Sequence, residues 1–240
     1  MNCNNTVSTG FQQLDEVLGG GFHGGSLNLI ASRPGMGKTT FVLQCAAGMA
    51  KNTDKMIYIF SLEMSSECIK KRFKGLCNQS NIMIDDTALI TPSQARAKLA
   101  GISDLGAVII DYFQLLQSDD SACEQTAAIR ASKIAGELKM ISLELGVPVI
   151  CSAQAPRMAD KESYRPHLRD LRFTGCIEED ADVLLFLHRD VDYNAEERAD
   201  CPAVEIIPAK NRYGGLETFP LCYEEPQIHE MNSLISICTP

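Results

Sequence analysis

The segment that most constrains this chain is the glycine-containing stretch 31–40, "ASRPGMGKTT", which directly follows the apolar run "LNLI". An apolar run of this kind predicts a buried strand, and the residues after the stretch predict a helix. Gly35 and Gly37 permit a backbone whose N–H groups point inward, and the Lys38 side chain is long enough to reach phosphate oxygens. The sequence therefore predicts a phosphate-binding loop between a strand and a helix.

The predicted phosphate-binding residues are consecutive: Ser32, Arg33, Pro34, Gly35, Met36, Gly37, Lys38, Thr39 and Thr40. The strict motif for such a loop has glycine where this chain has Ser32, but the remaining positions match. The Thr39 hydroxyl can bind the Mg²⁺ that accompanies the nucleotide. The alternative is an ordinary strand-to-helix turn with an incidental lysine, and the strand and helix on either side favour the phosphate loop.

Short apolar runs alternate with helical stretches along the chain. The runs are "LNLIA" (27–31), "MIYIF" (56–60), "AVIID" (107–111), "VPVICS" (147–152) and "DVLLFL" (182–187), and the longest helix is expected over 123–145. Continuously apolar runs suit strands buried on both faces of a parallel sheet. Near the C-terminus, "AVEIIPAKNR" and "ETFPLCY" predict an antiparallel β-hairpin. We therefore predict a single α/β domain over residues 1–240, with a mostly parallel central sheet, flanking helices and a C-terminal hairpin extension.

The composition limits the kinds of partner and site. The net charge of −9 argues against a uniformly basic surface that coats nucleic acid, so any such site must be local. The spacings of the ten cysteines and four histidines lack the close pairs that zinc sites need. Most cysteines are expected to be reduced thiols. We expect a cytoplasmic protein with no membrane partner, because no apolar run approaches the length of a membrane span.

Polar side chains follow three of the predicted strands. Asp111 ends "AVIID", where a carboxylate can hold Mg²⁺ through water, and Glu63 follows "MIYIF", where it can orient the attacking water. Gln154 follows "VPVICS", where its amide can detect the γ-phosphate. Ligands gather at the carboxyl ends of parallel strands, so we expect all three to converge near Lys38. The alternatives are a solvated loop acid for Asp111, a helix N-terminal acid for Glu63 and an ordinary polar loop residue for Gln154.

The sequence resembles the C-terminal, RecA-like motor domain of DnaB-type replicative DNA helicases. The matching stretches cover most of residues 8–220, and "FSLEM", "IDYFQLL" and "AKNRYG" are the most diagnostic of them. The glycine-rich "LDEVLGGGFHGG" also resembles RadA- and KaiC-like members of the RecA superfamily. The resemblance implies a RecA-like P-loop NTPase fold and ATP hydrolysis with Mg²⁺.

The resemblance further implies a hexameric ring with ATP bound between adjacent subunits. In that arrangement Lys38, Thr39, Asp111, Glu63 and Gln154 act on the nucleotide of their own subunit. The residues that would reach the neighbour's γ-phosphate are Lys210 and Arg212. The alternative, from the hairpin pattern alone, is that these two are solvated loop cations.

A locally basic segment is the candidate DNA-binding site. Residues 157–172, "RMADKESYRPHLRDLR", carry five cations and three acids, a local net of +2. The resemblance implies that this stretch binds single-stranded DNA through its phosphates, and the assigned residues are Arg157, Arg169, Arg172 and Gly175. The alternative is a solvated mobile loop.

Departures from the family pattern bear on DNA binding and assembly. Phe173 stands where the family commonly has an acid, and the segment after "SLEMSSE" is several tens of residues shorter than in the family. Only seven residues precede Ser8, so the family's N-terminal helicase domain and linker helix are not expected in this sequence, which is either a fragment of a longer protein or a naturally short relative. The resemblance implies a ring, whereas this short start argues against a stable one.

Three functions are considered. The first is an ATP-dependent 5′-to-3′ DNA helicase motor that moves on single-stranded DNA, with a primase or a helicase loader as further partners. The second is a RadA- or KaiC-like ATPase without unwinding activity. The third is a nucleotide-gated module that docks onto a replication complex.

Overall fold

The computed structural model describes residues 5–77, 79–119, 126–155, 165–166, 177–189, 203–224 and 227–230. The strands in this part of the chain are β1 (Thr6–Val7), β2 (Phe22–His23), β3 (Leu27–Ser32), β4 (Met56–Ser61), β5 (Ile82–Asp85), β6 (Leu105–Asp111), β7 (Val149–Gln154), β8 (Val183–His188), β9 (Ala203–Asn211), β10 (Phe219–Glu224) and β11 (Gln227–Glu230). The α-helices are α1 (Gln12–Val17), α2 (Lys38–Asn52), α3 (Ser66–Phe73), α4 (Pro92–Leu99), α5 (Ala127–Leu145) and α6 (Ile177–Asp180). Two short 3₁₀ turns cover Gln79–Asn81 and Phe113–Leu115.

The main sheet has the strand order β11-β10-β9-β8-β3-β7-β6-β4-β5. The strands from β8 to β5 run parallel to one another. The strands β9, β10 and β11 add to the β8 edge in antiparallel pairs. Both the parallel sheet and the C-terminal hairpin, formed by β9 and β10, are therefore as predicted.

Apolar side chains cover both faces of this sheet. Along β4, Ile57 and Ile59 contact the cluster built on α2, whereas Tyr58 and Phe60 contact the cluster built on α4 and α5. All six residues of β3 and all seven of β6 are buried. This explains why their sequences are continuously apolar, since a strand covered by helices on both faces has no solvent side.

Hydroxyl side chains begin three of the helices. Ser65, Thr91 and Thr126 accept hydrogen bonds from the first-turn N–H groups of α3, α4 and α5. The long helix thus begins next to Thr126 and not at residue 123, because this threonine satisfies the free amides of the first turn. Residues 120–125 are outside the described part of the chain.

Two strands of the main sheet, and the two-residue strands β1 and β2, were not predicted from the sequence patterns. β5, "IMID", has four residues and lies at one edge of the sheet, and β11, "QIHE", pairs with β10 at the other edge of the described sheet. Short edge strands carry little apolar signal, so they become recognisable only from their pairing.

Four of the described cysteines are free thiols, as expected, and one is not. Cys45 and Cys151 are free and fully buried, and Cys68 and Cys77 are also free, whereas Cys222 is disulfide-bonded. Among the described helices, none combines the length and apolar character needed to traverse a lipid bilayer.

Candidate active site

The predicted phosphate loop connects the end of β3 to the start of α2. Gly35 and Gly37 have φ values of +79° and +90°, a left-handed conformation that favours glycine. A Cβ atom at Gly35 would meet nothing within 4 Å, so this glycine borders open space. A Cβ at Gly37 would lie 3.0 Å from Cε2 of Tyr223 on β10, so a side chain there would require the Tyr223 ring to shift.

Helix α2 differs from the other long helices at its N-terminus. Its N-cap is Gly37, and no side chain caps its first turn. The amide N–H groups of this turn are consequently available to an anion, and the dipole of a 15-residue helix favours negative charge there. The fit to a nucleotide's phosphates therefore comes from the backbone as well as from Lys38.

The strands that carry the other predicted residues lie next to each other in the sheet. Ser32 at the end of β3 is level with Gln154 at the end of β7, and Ser61 at the end of β4 is level with Asp111 at the end of β6. The amide of Leu62 donates to the Asp111 carbonyl at 2.8 Å. The order β3-β7-β6-β4 thus brings the phosphate loop and all three predicted strand ends to one edge of the sheet.

Asp111 is 2% exposed and accepts a hydrogen bond from the Ser152 hydroxyl on β7. The Lys38 Nζ lies 4.7 Å from the ring centroid of Tyr112, the next residue along the chain. Burial raises the pKa of the Cys151 thiol; the Asp111 charge adds to this increase and the Lys38 charge opposes it. Asp111 and Lys38 therefore both influence the pKa of the buried Cys151 thiol, with opposite signs.

The donor set fits a magnesium ion that is bound together with a nucleotide. Thr39 lies in the first turn of α2 and offers a hydroxyl, and Asp111 offers a carboxylate, the oxygen ligands that Mg²⁺ prefers. In the described residues, no group of three or more His, Cys, Asp or Glu side chains is placed to hold a metal. A partial protein site of this kind suits an ion that takes its remaining ligands from phosphates and water.

Glu63 and Gln154 are both exposed at this edge. Glu63 lies two residues beyond β4 and ahead of α3, so its carboxylate is accessible to water. The Gln154 backbone is held by the Gln114 side chain: the amide of Gln154 donates to Gln114 Oε1 at 3.1 Å, and its carbonyl accepts from Gln114 Nε2 at 2.9 Å. This reciprocal pair fixes the end of β7 and leaves the Gln154 side chain exposed.

Sequence reasoning missed a cation–π pair, Arg189 and Tyr223, beside the phosphate loop. Tyr223 packs against Gly37, and the Arg189 guanidinium lies 4.7 Å from its ring centroid. Arg189 follows the end of β8, so the rule that found Asp111 could have found it. Tyr223 gave no comparable signal, because it lies on an antiparallel strand whose register depends on the folded sheet. Ser152 and Gln114 were also missed.

A cavity of about 360 Å³ lies next to this pair. It extends from Thr40 in the first turn of α2 to Tyr223, and its other lining residues include Lys71, Arg72 and Lys74 near the end of α3. The cavity thus opens beside the helix turn that would carry the phosphates.

Lys210 and Arg212 lie at the edge of the sheet where the parallel strands begin. Their own phosphate loop lies at the opposite edge, where these strands end. β9 runs antiparallel to β8, and Lys210 is level with Leu184 near the start of β8. The strand start at Asn28, which is level with Val183, precedes Ser32 by four residues, or about 13 Å along the strand. These two cations are therefore remote from the phosphate loop of the same chain.

Both cations make contacts at that edge. The Lys210 Nζ donates to the carbonyls of Glu178 and Glu179 at 2.7 and 3.2 Å. Its pKa is lowered, mainly by burial and next by the charge of Arg212. Arg212 Nη1 donates to the Asp182 carboxylate at 3.0 Å, although the arginine side chain is 54% exposed.

The predicted DNA-binding residues Arg157, Arg169, Arg172 and Gly175 lie outside the described residues. Of the basic segment, Arg165 is described, and its guanidinium forms an ion pair with Glu205 on β9 at 3.3 Å. The DNA assignment consequently stays a prediction.

Comparison with known proteins gives a consistent result. Residues 6–78 and 73–231 match the family described as DnaB-like helicase C terminal domain. The two matched segments overlap at residues 73–78.

Two similar relatives are replicative DNA helicases. The chain is 35% identical to the replicative DNA helicase DnaC of Bacillus subtilis (strain 168) and 34% identical to the replicative DNA helicase DnaB of Geobacillus stearothermophilus. Each alignment covers 96% of this chain and 56% of the relative, so the chain spans just over half the length of either protein.

Two solved structures have similar folds. One is described as an ATPase domain and has a TM-score of 0.83 and 30% identity, with 96% of this chain and 93% of that chain covered. The other is a DnaB-like replicative helicase, whose structure was determined with its interactions with primase; it has a TM-score of 0.82 and 29% identity, with coverage of 93% and 61%. These similarities confirm the expected RecA-like fold.

Proposed function

The chain belongs to the family of DnaB-like helicase C-terminal domains, and we propose that it is the ATP-hydrolysing motor domain of a replicative DNA helicase. The observation that supports this most directly is the common edge of β3, β7, β6 and β4, where a phosphate loop meets two carboxylates and a glutamine. An arrangement of this kind provides the binding and polarising groups that phosphoryl transfer to water needs. The fold similarity alone would not specify the reaction.

ATP is the proposed substrate, and its phosphates would bind the free amides of the first turn of α2 and the Lys38 ammonium. Thr39 and Asp111 are the proposed Mg²⁺ residues, with Asp111 acting through water. When bound, Mg²⁺ neutralises charge on the phosphate oxygens. Glu63 would orient and deprotonate the attacking water, and Gln154 would respond to the presence of the γ-phosphate.

The cation–π pair extends the proposed site beyond the phosphates. Tyr223, with Arg189 over its ring, presents a flat surface beside the start of α2. Bases stack well on such surfaces, and the adjoining cavity leaves space for the ribose. We assign the nucleoside end of ATP to this region.

Lys210 and Arg212 are proposed to complete the site of an adjacent subunit. Their distance from their own phosphate loop supports a role in trans, since one chain cannot bring both groups to the same nucleotide. An arginine supplied by a neighbour can raise hydrolysis by about 10³- to 10⁵-fold. The hexameric ring implied by the family is the assembly that we propose.

The wider activity is also a proposal. Single-stranded DNA is the proposed track, held through phosphates by Arg157, Arg169, Arg172 and Gly175, and a primase and a helicase loader are proposed partners. The cytoplasmic location stays a prediction.

ATPase assays at increasing protein concentration test this function. We expect turnover per subunit to rise with concentration, because hydrolysis requires a neighbour, and to rise severalfold further when single-stranded DNA is added. Lys38→Ala protein serves as the inactive control. Concentration-dependent turnover that ignores DNA would support the RadA- or KaiC-like alternative, and tight ATP binding without turnover would support the nucleotide-gated module.

A further inference from the structure

We infer that Asp182 and Lys139 position Arg212 for its action on the neighbouring subunit's nucleotide. The inference rests on the proposed function, because it assumes that Arg212 acts in trans. It adds two positioning residues that lie on separate elements, one just before β8 and the other on α5.

Asp182 is a buried carboxylate with a defined set of donors. Asp182 is 2% exposed. Its Oδ2 accepts hydrogen bonds from the amide of Leu27 at 2.8 Å and from Lys139 Nζ at 2.6 Å. Its Oδ1 accepts from Arg212 Nη1 at 3.0 Å. The main chain adds two more bonds, from the Asp182 amide to the Leu27 carbonyl at 2.8 Å and from the Arg212 amide to the Asp182 carbonyl at 3.1 Å.

The two carboxylate oxygens of Asp182 have different partners. The two donors on Oδ2 fix the carboxylate against the start of β3 and against α5, and Oδ1 points to the arginine. The bond from Arg212 Nη1 is charge-assisted, and it holds the guanidinium beside this carboxylate oxygen. A buried charge with several hydrogen bonds also costs more to displace than an exposed pair.

Arg212 keeps nitrogen atoms available for a phosphate. Its bond to Asp182 uses Nη1, and its side chain is 54% exposed. Within the described residues, the Nε–Nη2 edge of the guanidinium makes no hydrogen bond, and such an edge can bind phosphate oxygens in a bidentate manner. The arginine is therefore held at one side and open at the other.

Lys139 contributes by balancing the buried charge. Its side chain is 20% exposed, and its ammonium also donates to the Gly25 carbonyl at 2.8 Å. Without this cation, Asp182 would lose one donor on Oδ2 and would turn toward Arg212 with less restraint. The position of the arginine would then be set less sharply.

Mixed-subunit ATPase assays with Asp182→Asn test this inference, at a concentration at which mass in solution shows assembly with a non-hydrolysable ATP analogue. Asp182→Asn alone should lower kcat at least tenfold, with less than a twofold change in the KM for ATP, because its own phosphate loop is intact. Mixed with Lys38→Ala protein, it should regain activity, because each Lys38→Ala subunit supplies a correctly held Arg212. Mixed with Arg212→Ala protein, it should regain none.

A second variant keeps the test valid if Asp182→Asn does not fold. Lys139→Met should lower kcat in the same way and be rescued by Lys38→Ala protein, whereas Lys139→Arg should retain most of the activity.

The outcomes separate the two hypotheses. If Arg212→Ala regains activity with Lys38→Ala protein but Asp182→Asn and Lys139→Met do not, or if these two variants match the wild type, the positioning role is wrong. If Arg212→Ala itself regains nothing in an assembled mixture, the proposed action in trans fails instead.

Discussion

The Ser152 hydroxyl on β7 donates a hydrogen bond to the Asp111 carboxylate at the end of β6. The bond joins two adjacent strands at the edge where the phosphate loop lies. A carboxylate that already has one oxygen engaged presents the other in a fixed direction. Ser152 is therefore placed to orient Asp111, the carboxylate proposed to bind Mg²⁺ through water.

Ser152→Ala should raise the Mg²⁺ concentration needed for half-maximal ATPase activity by about tenfold, because residues that orient a metal's ligands commonly contribute that much to its affinity. The measurement is a Mg²⁺ titration at saturating ATP. Ser26→Ala, which removes a hydroxyl near the other end of β3, is the matched control. An unchanged titration curve for Ser152→Ala would contradict the role.

Glu63→Gln should lower kcat by at least about 100-fold, because an amide cannot accept the proton of the attacking water. ATP affinity should change little, since the substitution leaves the phosphate loop untouched. Glu67→Gln is the control, because Glu67 is also exposed and lies in the first turn of α3. Turnover that survives in Glu63→Gln would show that Glu63 is not the base.

Tyr223→Ala should weaken ADP binding by about tenfold, measured by calorimetry, because it removes the ring on which the base is proposed to stack. Tyr223→Phe keeps the ring and should bind ADP nearly as well as the wild type. Equal affinities of the alanine and phenylalanine variants would place the base elsewhere.

Asp85 on β5 supplies a prediction about stability. Burial tends to raise its pKa, but hydrogen bonds from Lys98, Thr87 and Tyr58 outweigh this effect and lower the pKa to about 2. The carboxylate therefore stabilises the fold fully above its unfolded pKa of 3.8, and the contribution is lost as the pH falls from that value through about 2.

Asp85→Asn should lower the free energy of unfolding by about 1 kcal/mol at pH 7, an amount reduced by solvent because the Lys98 partner is partly exposed. The difference from wild type should be smaller at pH 3, as measured by urea unfolding at both values. Asp104→Asn, at an exposed acid, should show little effect at either pH. A difference that is constant with pH would contradict the assigned cause.

The sequence predicted the parallel strands closely because their burial on both faces makes them continuously apolar. The run 27–31 became Leu27–Ser32, and 182–187 became Val183–His188. The same patterns also indicated which residues follow each strand, and so they brought Asp111 and Gln154 to the edge that holds the phosphate loop.

Other parts of the site depend on contacts that local patterns do not encode. Tyr223 reaches Gly37 only because three antiparallel strands extend the sheet past the loop. Asp182 likewise looks in the sequence like one acid among several in "EEDAD", and its importance comes from the donors that surround it once β8 joins β3.

The placement of Arg212 and the phosphate loop at opposite edges of one sheet restricts the symmetry of any active assembly. In a two-fold dimer the two contacts are reciprocal, so both edges would have to lie within one interface. Contacts between unlike edges run head to tail, and they either close into a cycle or continue as a filament. Every such assembly has a direction, and each subunit in it receives help from one side and gives it on the other.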